Sequence, residues 1–164
     1  MKTLLILRHA KSSHDDDSLS DHDRPLAKRG QSAAKKISRL IDDKQMWPDL
    51  ILSSTAERAA ATARRVVRKS KRDDFAGEIQ YHRELYLAEP EEYVAIVQKF
   101  GGEADSVMVV GHNPGMEDLI EFLAGEWHPF PTAALARIEL SIDDWADLAH
   151  GTGEIAGFWR PRKL

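Results

Sequence analysis

Two short apolar runs, each ending at a histidine, constrain the fold of this chain more than any other feature. Leu4-Leu5-Ile6-Leu7 leads into Arg8-His9, and Val107-Met108-Val109-Val110 leads into Gly111-His112-Asn113-Pro114-Gly115. A continuous apolar run of four or five residues reads as a strand buried on both faces of a parallel sheet. In such sheets the ligand crevice lies outside the carboxyl ends of the strands. Two histidines delivered there, one beside an arginine, point to chemistry on an anion.

The rest of the chain supplies the helices such a sheet needs. A strand over Thr3–Leu7 is followed by a polar stretch from Lys11 to Asp23. Leu26–Asp43 then reads as a helix with Ala33, Ile37, Leu40 and Ile41 on one face. A second strand covers Asp49–Ser53. Ser54-Thr55-Ala56-Glu57 matches a capping box for a helix that carries Arg58 and runs to about Lys69. Ile79–His82 is a third short strand, ending in a loop with Glu84. Pro90 opens a helix that stops near Phe100 at Gly101-Gly102. After the Val107–Val110 strand, Asn113 is expected to cap a helix with Pro114 at its first position and Glu117 and Asp118 in its first turn. Two late strands, Ala134–Leu140 and Glu154–Trp159, flank a short helical segment over Asp143–Leu148. This alternation predicts an α/β fold: a three-layer α/β/α sandwich around a mostly parallel sheet.

A length of 164 residues, with no internal repeat and no Gly/Ser/Pro-rich linker, predicts a single domain over residues 1–164. The net charge of −4 argues against a general nucleic-acid binder. The chain contains no cysteine, so disulfides, thiolate metal sites and cysteine catalysis are excluded. The first apolar run is too short, and too soon followed by charge, for a signal peptide or a membrane span, which predicts a cytoplasmic protein.

In this arrangement His9, Arg58 and His112 follow three strands into one crevice, with Arg24 in the loop after the first. Arginine offers a planar fork of donors suited to phosphate oxygens, and helix N-termini add backbone donors and a positive dipole end. Together they form an anion trap in an acidic chain.

The residues now in view resemble the histidine phosphatase superfamily, and within it the short bacterial phosphohistidine phosphatases of the SixA-like branch. The resemblance is carried by Arg8-His9, Ser20-Asp21-His22-Asp23-Arg24-Pro25-Leu26, Ser53-Ser54 with Arg58, Glu84-Leu85-Tyr86 and Gly111-His112-Asn113-Pro114. It implies a phosphoglycerate mutase-like fold and a metal-independent phosphatase with no cofactor. His9 would be the nucleophile and become transiently phosphorylated. Arg8, Arg24, Arg58 and His112 would hold the phosphoryl oxygens. The proton donor would be Glu84 or Asp21. The implied substrate is protein phosphohistidine, with a small phosphoester as the alternative; a catalytically weak phosphate-binding module is the non-enzymatic reading. One departure is visible: the wider family has glycine after the Arg-His pair, and this chain has Ala10.

Other conspicuous features read as ordinary. Asp15-Asp16-Asp17 is a solvated loop, because three adjacent carboxylates cannot all face one ion in an extended segment. Arg64-Arg65, Arg68-Lys69 and Lys71-Arg72 form a basic helix end that complements the helix dipole. Trp47, Trp127, Trp145 and Trp159 read as packing residues.

Overall fold

The computed structural model describes residues 1–68 and 77–164. One six-stranded sheet organises them. Its strands are β1 (Lys2–Arg8), β2 (Leu50–Ser54), β3 (Glu78–His82), β4 (Ser106–Gly111), β5 (Leu135–Leu140) and β6 (Gly153–Trp159), in the spatial order β3-β2-β4-β1-β5-β6. β3, β2, β4 and β1 run parallel; β5 lies antiparallel to β1, and β6 antiparallel to β5. The helices are α1 (Lys28–Asp43), α2 (Glu57–Arg68), α3 (Pro90–Phe100) and α4 (Gly115–Ala124).

Strand alternation sorts the core into two layers. Leu5 and Leu7 of β1 point to one face, where they pack with Ile37 and Ile41 of α1 and Ala59, Ala63 and Val66 of α2. Leu4 and Ile6 point to the other, among Tyr93 and Val97 of α3 and Leu119, Ile120 and Leu123 of α4. The β1 positions Leu4 to Leu7 are buried on both faces, which is why the run shows no polar alternation. Truncating one of them to alanine costs about 2–5 kcal/mol. The sandwich and its mostly parallel sheet are thus as the sequence predicts.

The connectivity fixes where a ligand can sit. The chain leaves β1 through α1 on one face towards β2, and leaves β4 through α4 on the other face towards β5. β1 and β4 are neighbours, with Arg8 opposite Gly111. The loops after them diverge and open a crevice at the strand ends.

Two local expectations give way. Ser54 ends β2 instead of capping α2: its Oγ accepts from the Ala56 amide at 3.2 Å and meets His112, while Glu57 pairs with Arg64 at 2.9 Å. Asn113 does not cap α4, because its side-chain amide donates to the Phe130 carbonyl at 2.8 Å; Pro114 takes the cap position and the helix starts at Gly115. Lys69, Lys71 and Arg72, assigned above to a basic helix end, lie outside the described residues.

Candidate active site

Because Arg8 and Gly111 are paired across β1 and β4, the next residues leave adjacent strands at the same height. His9 and His112 therefore meet, with ring centroids 5.2 Å apart. They line a cavity of about 260 Å³ together with Arg8, Arg24, Arg58 and Asn113. Among the sequence-predicted residues, Glu84 stands clearly apart. It sits in a 3-10 turn over Arg83–Leu85 with its carboxylate exposed, 4.0 Å from His82, and does not line the cavity.

His9 is held by its surroundings in one protonation form. Its Nδ1 lies 2.7 Å from the Ala10 carbonyl. A carbonyl only accepts, so Nδ1 carries the proton and Nε2 keeps the lone pair. Burial brings the His9 pKa down to about 4; the Ala10 carbonyl opposes it, and the positive charges of Arg58, Arg8 and Arg24 add to the lowering. The imidazole is neutral at neutral pH. The loop that carries it is tied at both sides: the His9 amide donates to the Gly111 carbonyl and the Ala10 amide to Thr62 Oγ1, which itself donates to the Arg58 carbonyl. Ala10 is fully buried and does not take the left-handed conformation that would demand glycine. Alanine in place of the family's glycine is thereby accommodated.

His112 is 2% exposed, and its Nε2 lies 2.8 Å from Ser54 Oγ. Its Nδ1 is buried with no hydrogen-bond partner among the described residues. Burial, then the neighbouring His9 and Arg58, lower its pKa to about 3. Tyr93 positions the loop from below: its hydroxyl accepts from the His112 amide at 3.2 Å and donates to the Leu85 carbonyl. Gly111 leaves room for it, since a Cβ there would overlap the Tyr93 hydroxyl oxygen.

The arginines are fixed by a shared carboxylate. Asp21 Oδ2 accepts from Arg58 Nη2 at 3.0 Å and from the Tyr86 hydroxyl; Oδ1 accepts from Arg24 Nη2 at 2.8 Å. The Asp21 main-chain carbonyl takes a second Arg58 bond at 2.7 Å. The hydrogen bonds from Tyr86 and Arg24, and then Arg58, hold the Asp21 carboxyl far below the usual carboxylate range, against the opposing effect of burial. Burial and then Asp21 push the Tyr86 phenol up, so it stays a donor. Arg24 reaches this place because the segments around it pair: Ser12 bridges to Leu26, the Ala27 amide donates to the Lys11 carbonyl, and Arg24 Nη1 donates to Ser12 Oγ at 2.6 Å. Gly30 permits the approach, since a Cβ there would overlap the Lys11 carbonyl oxygen. Arg8 is half-buried, donates to the Phe130 carbonyl at 3.0 Å and has no acceptor for its Nε among the described residues.

Chemically, the site places an unprotonated imidazole nitrogen beside three guanidinium groups and a neutral second histidine. That combination binds a multiply charged oxyanion and presents a nucleophile to its central atom. Among the described residues no three His, Asp or Glu side chains gather with metal-binding geometry. Ser54 and Tyr86 are part of the site, although in the sequence Ser54 reads as a helix cap and Tyr86 has no role of its own. The one signal for them is their place within the Ser53-Ser54 and Glu84-Leu85-Tyr86 motifs.

A fold of this topology, with two histidines at the ends of adjacent parallel strands and arginines around them, defines a phosphoryl-handling α/β protein. The chain belongs to the histidine phosphatase superfamily (branch 1), whose family model matches residues 4–86. An uncharacterised chloroplastic protein of Arabidopsis thaliana is 31% identical over 89% of this chain and 70% of its own length. Among solved structures, a protein from Agrobacterium tumefaciens provisionally named phosphohistidine phosphatase SixA is 33% identical, with a TM-score of 0.81 over 98% of each chain. A protein of the same provisional name from Nakamurella multipartitia is 26% identical, with a TM-score of 0.85 over 98% of this chain and 96% of its own. Among the described residues no helix is long and apolar enough to cross a membrane.

Proposed function

We propose that this chain is a metal-independent phosphatase that passes the phosphoryl group through His9 and acts on protein phosphohistidine. The observation that carries the reading is the Nδ1 bond to the Ala10 carbonyl, which leaves Nε2 as the free base in a cavity ringed by Arg8, Arg24 and Arg58. In the first step the Nε2 lone pair attacks phosphorus, the bond to the leaving group breaks with its electron pair, and a phosphorylated His9 results. In the second, water attacks that phosphorus, the P–Nε2 bond breaks with its electron pair returning to Nε2, the water's proton passes to solvent, and inorganic phosphate departs. The guanidinium groups and His112 oppose the charge spread over the phosphoryl oxygens, which is most of what this transfer requires.

Neither acidic candidate fits the part of proton donor to a poor leaving group. Asp21 is kept ionised by three donors, and the Glu84 carboxylate stands outside the cavity. An alkoxide leaving group needs such a donor; the imidazole of phosphohistidine demands less. That favours the phosphoprotein substrate over a small alkyl phosphoester. The SixA name of the two structural relatives points the same way.

The test is a trapping experiment with a substrate panel. Rapid acid-free quenching with labelled nitrophenyl phosphate should place an acid-labile phosphoryl group on His9, and His9→Ala should lose turnover. A phosphohistidine-containing protein should be turned over with a higher kcat/KM than phosphoserine or sugar phosphates. Label on another residue overturns the mechanism; preference for an alkyl phosphate overturns the substrate.

A further inference from the structure

The cavity that holds His9 adjoins a much larger groove of about 890 Å³, sharing Arg8, Lys11, Asn113 and Thr132 with it. The groove runs along the start of α1 to the 3-10 turn Pro161–Lys163. Its lining carries six cations, Arg8, Lys11, Arg29, Arg160, Arg162 and Lys163, and a single carboxylate, Glu117. Glu117 is already engaged, accepting from the Phe130 amide at 3.0 Å. Lys11, Arg29, Arg162 and Lys163 have no carboxylate partner among the described residues. Arg160 lies over the Phe158 ring at 5.1 Å, which fixes its direction without neutralising it.

Such a wall is costly in isolation. Like charges along one groove repel, and here they gather in a chain whose net charge is −4. The remaining face of the groove is built from Pro129, Phe130 and Pro131, a stiff apolar edge. The cations come from separate segments of the chain: Arg8 and Lys11 from the end of β1 and the loop after it, Arg29 from the first turn of α1, and Arg160, Arg162 and Lys163 from β6's end and the turn beyond it. A long groove lined by six cations and one engaged carboxylate is complementary to a ligand carrying several negative charges.

We propose that this groove docks an acidic segment of the phosphoprotein substrate, lying beside the phosphorylated histidine and oriented by Lys11, Arg29, Arg162 and Lys163. The inference rests on the phosphohistidine reading above. Complementary charge of this kind steers encounter and lowers KM, and leaves the chemical step alone.

Two synthetic phosphohistidine peptides test it, identical except for four flanking glutamates in one and four lysines in the other. At low salt the wild-type enzyme should show a KM about tenfold lower for the glutamate peptide. In Arg162→Glu/Lys163→Glu that preference should vanish, while turnover of nitrophenyl phosphate stays unchanged and reports an intact fold and site. Equal KM values in the wild type, or a preference that survives in the variant, overturn the groove assignment and leave the phosphohistidine reading standing. If nitrophenyl phosphate is hydrolysed and neither peptide is, both readings fall. If the variant instead raises KM for fructose 1,6-bisphosphate and leaves the peptide preference intact, the groove is a small-anion subsite and the docking proposal is wrong.

Discussion

Replacing Asp21 with asparagine separates two incompatible roles for this carboxylate. Arg58 is 4% exposed and sends one bond to the Asp21 side chain and one to its main-chain carbonyl. Arg24 and Tyr86 bind the same carboxyl group. The substituted amide would keep the main-chain bond and one acceptor oxygen, and would turn an N–H donor towards a guanidinium or the phenol. Breaking a fully buried pair by removing one partner costs about 3–5 kcal/mol. The Asp21 side chain is 48% exposed, so solvent screens the loss, and about 1.5–3 kcal/mol is the reasonable range. Felt as misplacement of Arg58 and Arg24, that corresponds to a fall in kcat/KM of about ten- to a hundredfold. The fall should be similar for nitrophenyl phosphate and for an alkyl phosphate, because both present the same phosphoryl group to the arginines. A proton donor would behave differently: its loss slows the alkyl ester by about 10²- to 10⁴-fold and spares the nitrophenyl ester. Steady-state kinetics of Asp21→Asn on both substrates decides. An effect confined to the alkyl ester would refute the positioning role and make Asp21 the acid, despite the three donors that hold it ionised. Tyr86→Phe removes one of those donors and should produce a milder version of the same uniform loss.

Further outcomes follow from the same geometry. Activity should persist in excess EDTA, since Arg8, Arg24 and Arg58 supply the positive charge; loss restored by a divalent ion would refute this. His9 and His112 titrate at about 4 and about 3 in the folded protein, below the ordinary 6.5, so acid favours the unfolded chain. Their contribution to stability is therefore present above about pH 6.5 and declines as pH falls from there towards about 4 for His9 and about 3 for His112, by about 2 kcal/mol per buried histidine at about pH 5. Urea unfolding of the wild type and His112→Gln at pH 7 and about pH 5 should show the smaller decline in the variant. Gly111→Ala drives a Cβ into the Tyr93 hydroxyl oxygen; it should lower stability by about 1–3 kcal/mol and depress turnover by moving His112, read by thermal melting and nitrophenyl phosphate kinetics.

The sheet and the placement of its two histidines were legible in the sequence, because a strand buried on both faces must be apolar at every position and must end where polarity returns. Leu4–Leu7 before Arg8-His9, and Val107–Val110 before Gly111-His112, state both conditions locally. The helix of Pro90–Phe100 was equally legible, its proline and glycines marking both ends. The direction of β5 was not, since β5 and β6 carry no signal that distinguishes parallel from antiparallel pairing with β1. Hydrogen-bond partners across the chain were also out of reach. A serine at a strand end followed by glutamate looks like a cap; that Ser54 turns to His112 depends on β2 and β4 lying side by side. Asn113 before a proline looks like a cap too, until Phe130, 17 residues away, takes its amide. Asp21 is the clearest case. Close to Arg24 in the sequence it could be a surface partner or an acid, and its charge state followed only once folding brought Tyr86 and Arg58 to the same carboxylate from 65 and 37 residues away. Periodicity and chain punctuation are short-range properties that a sequence writes down directly. The protonation of a side chain is set by every charge and donor within a few ångströms, and those neighbours exist only in the folded chain.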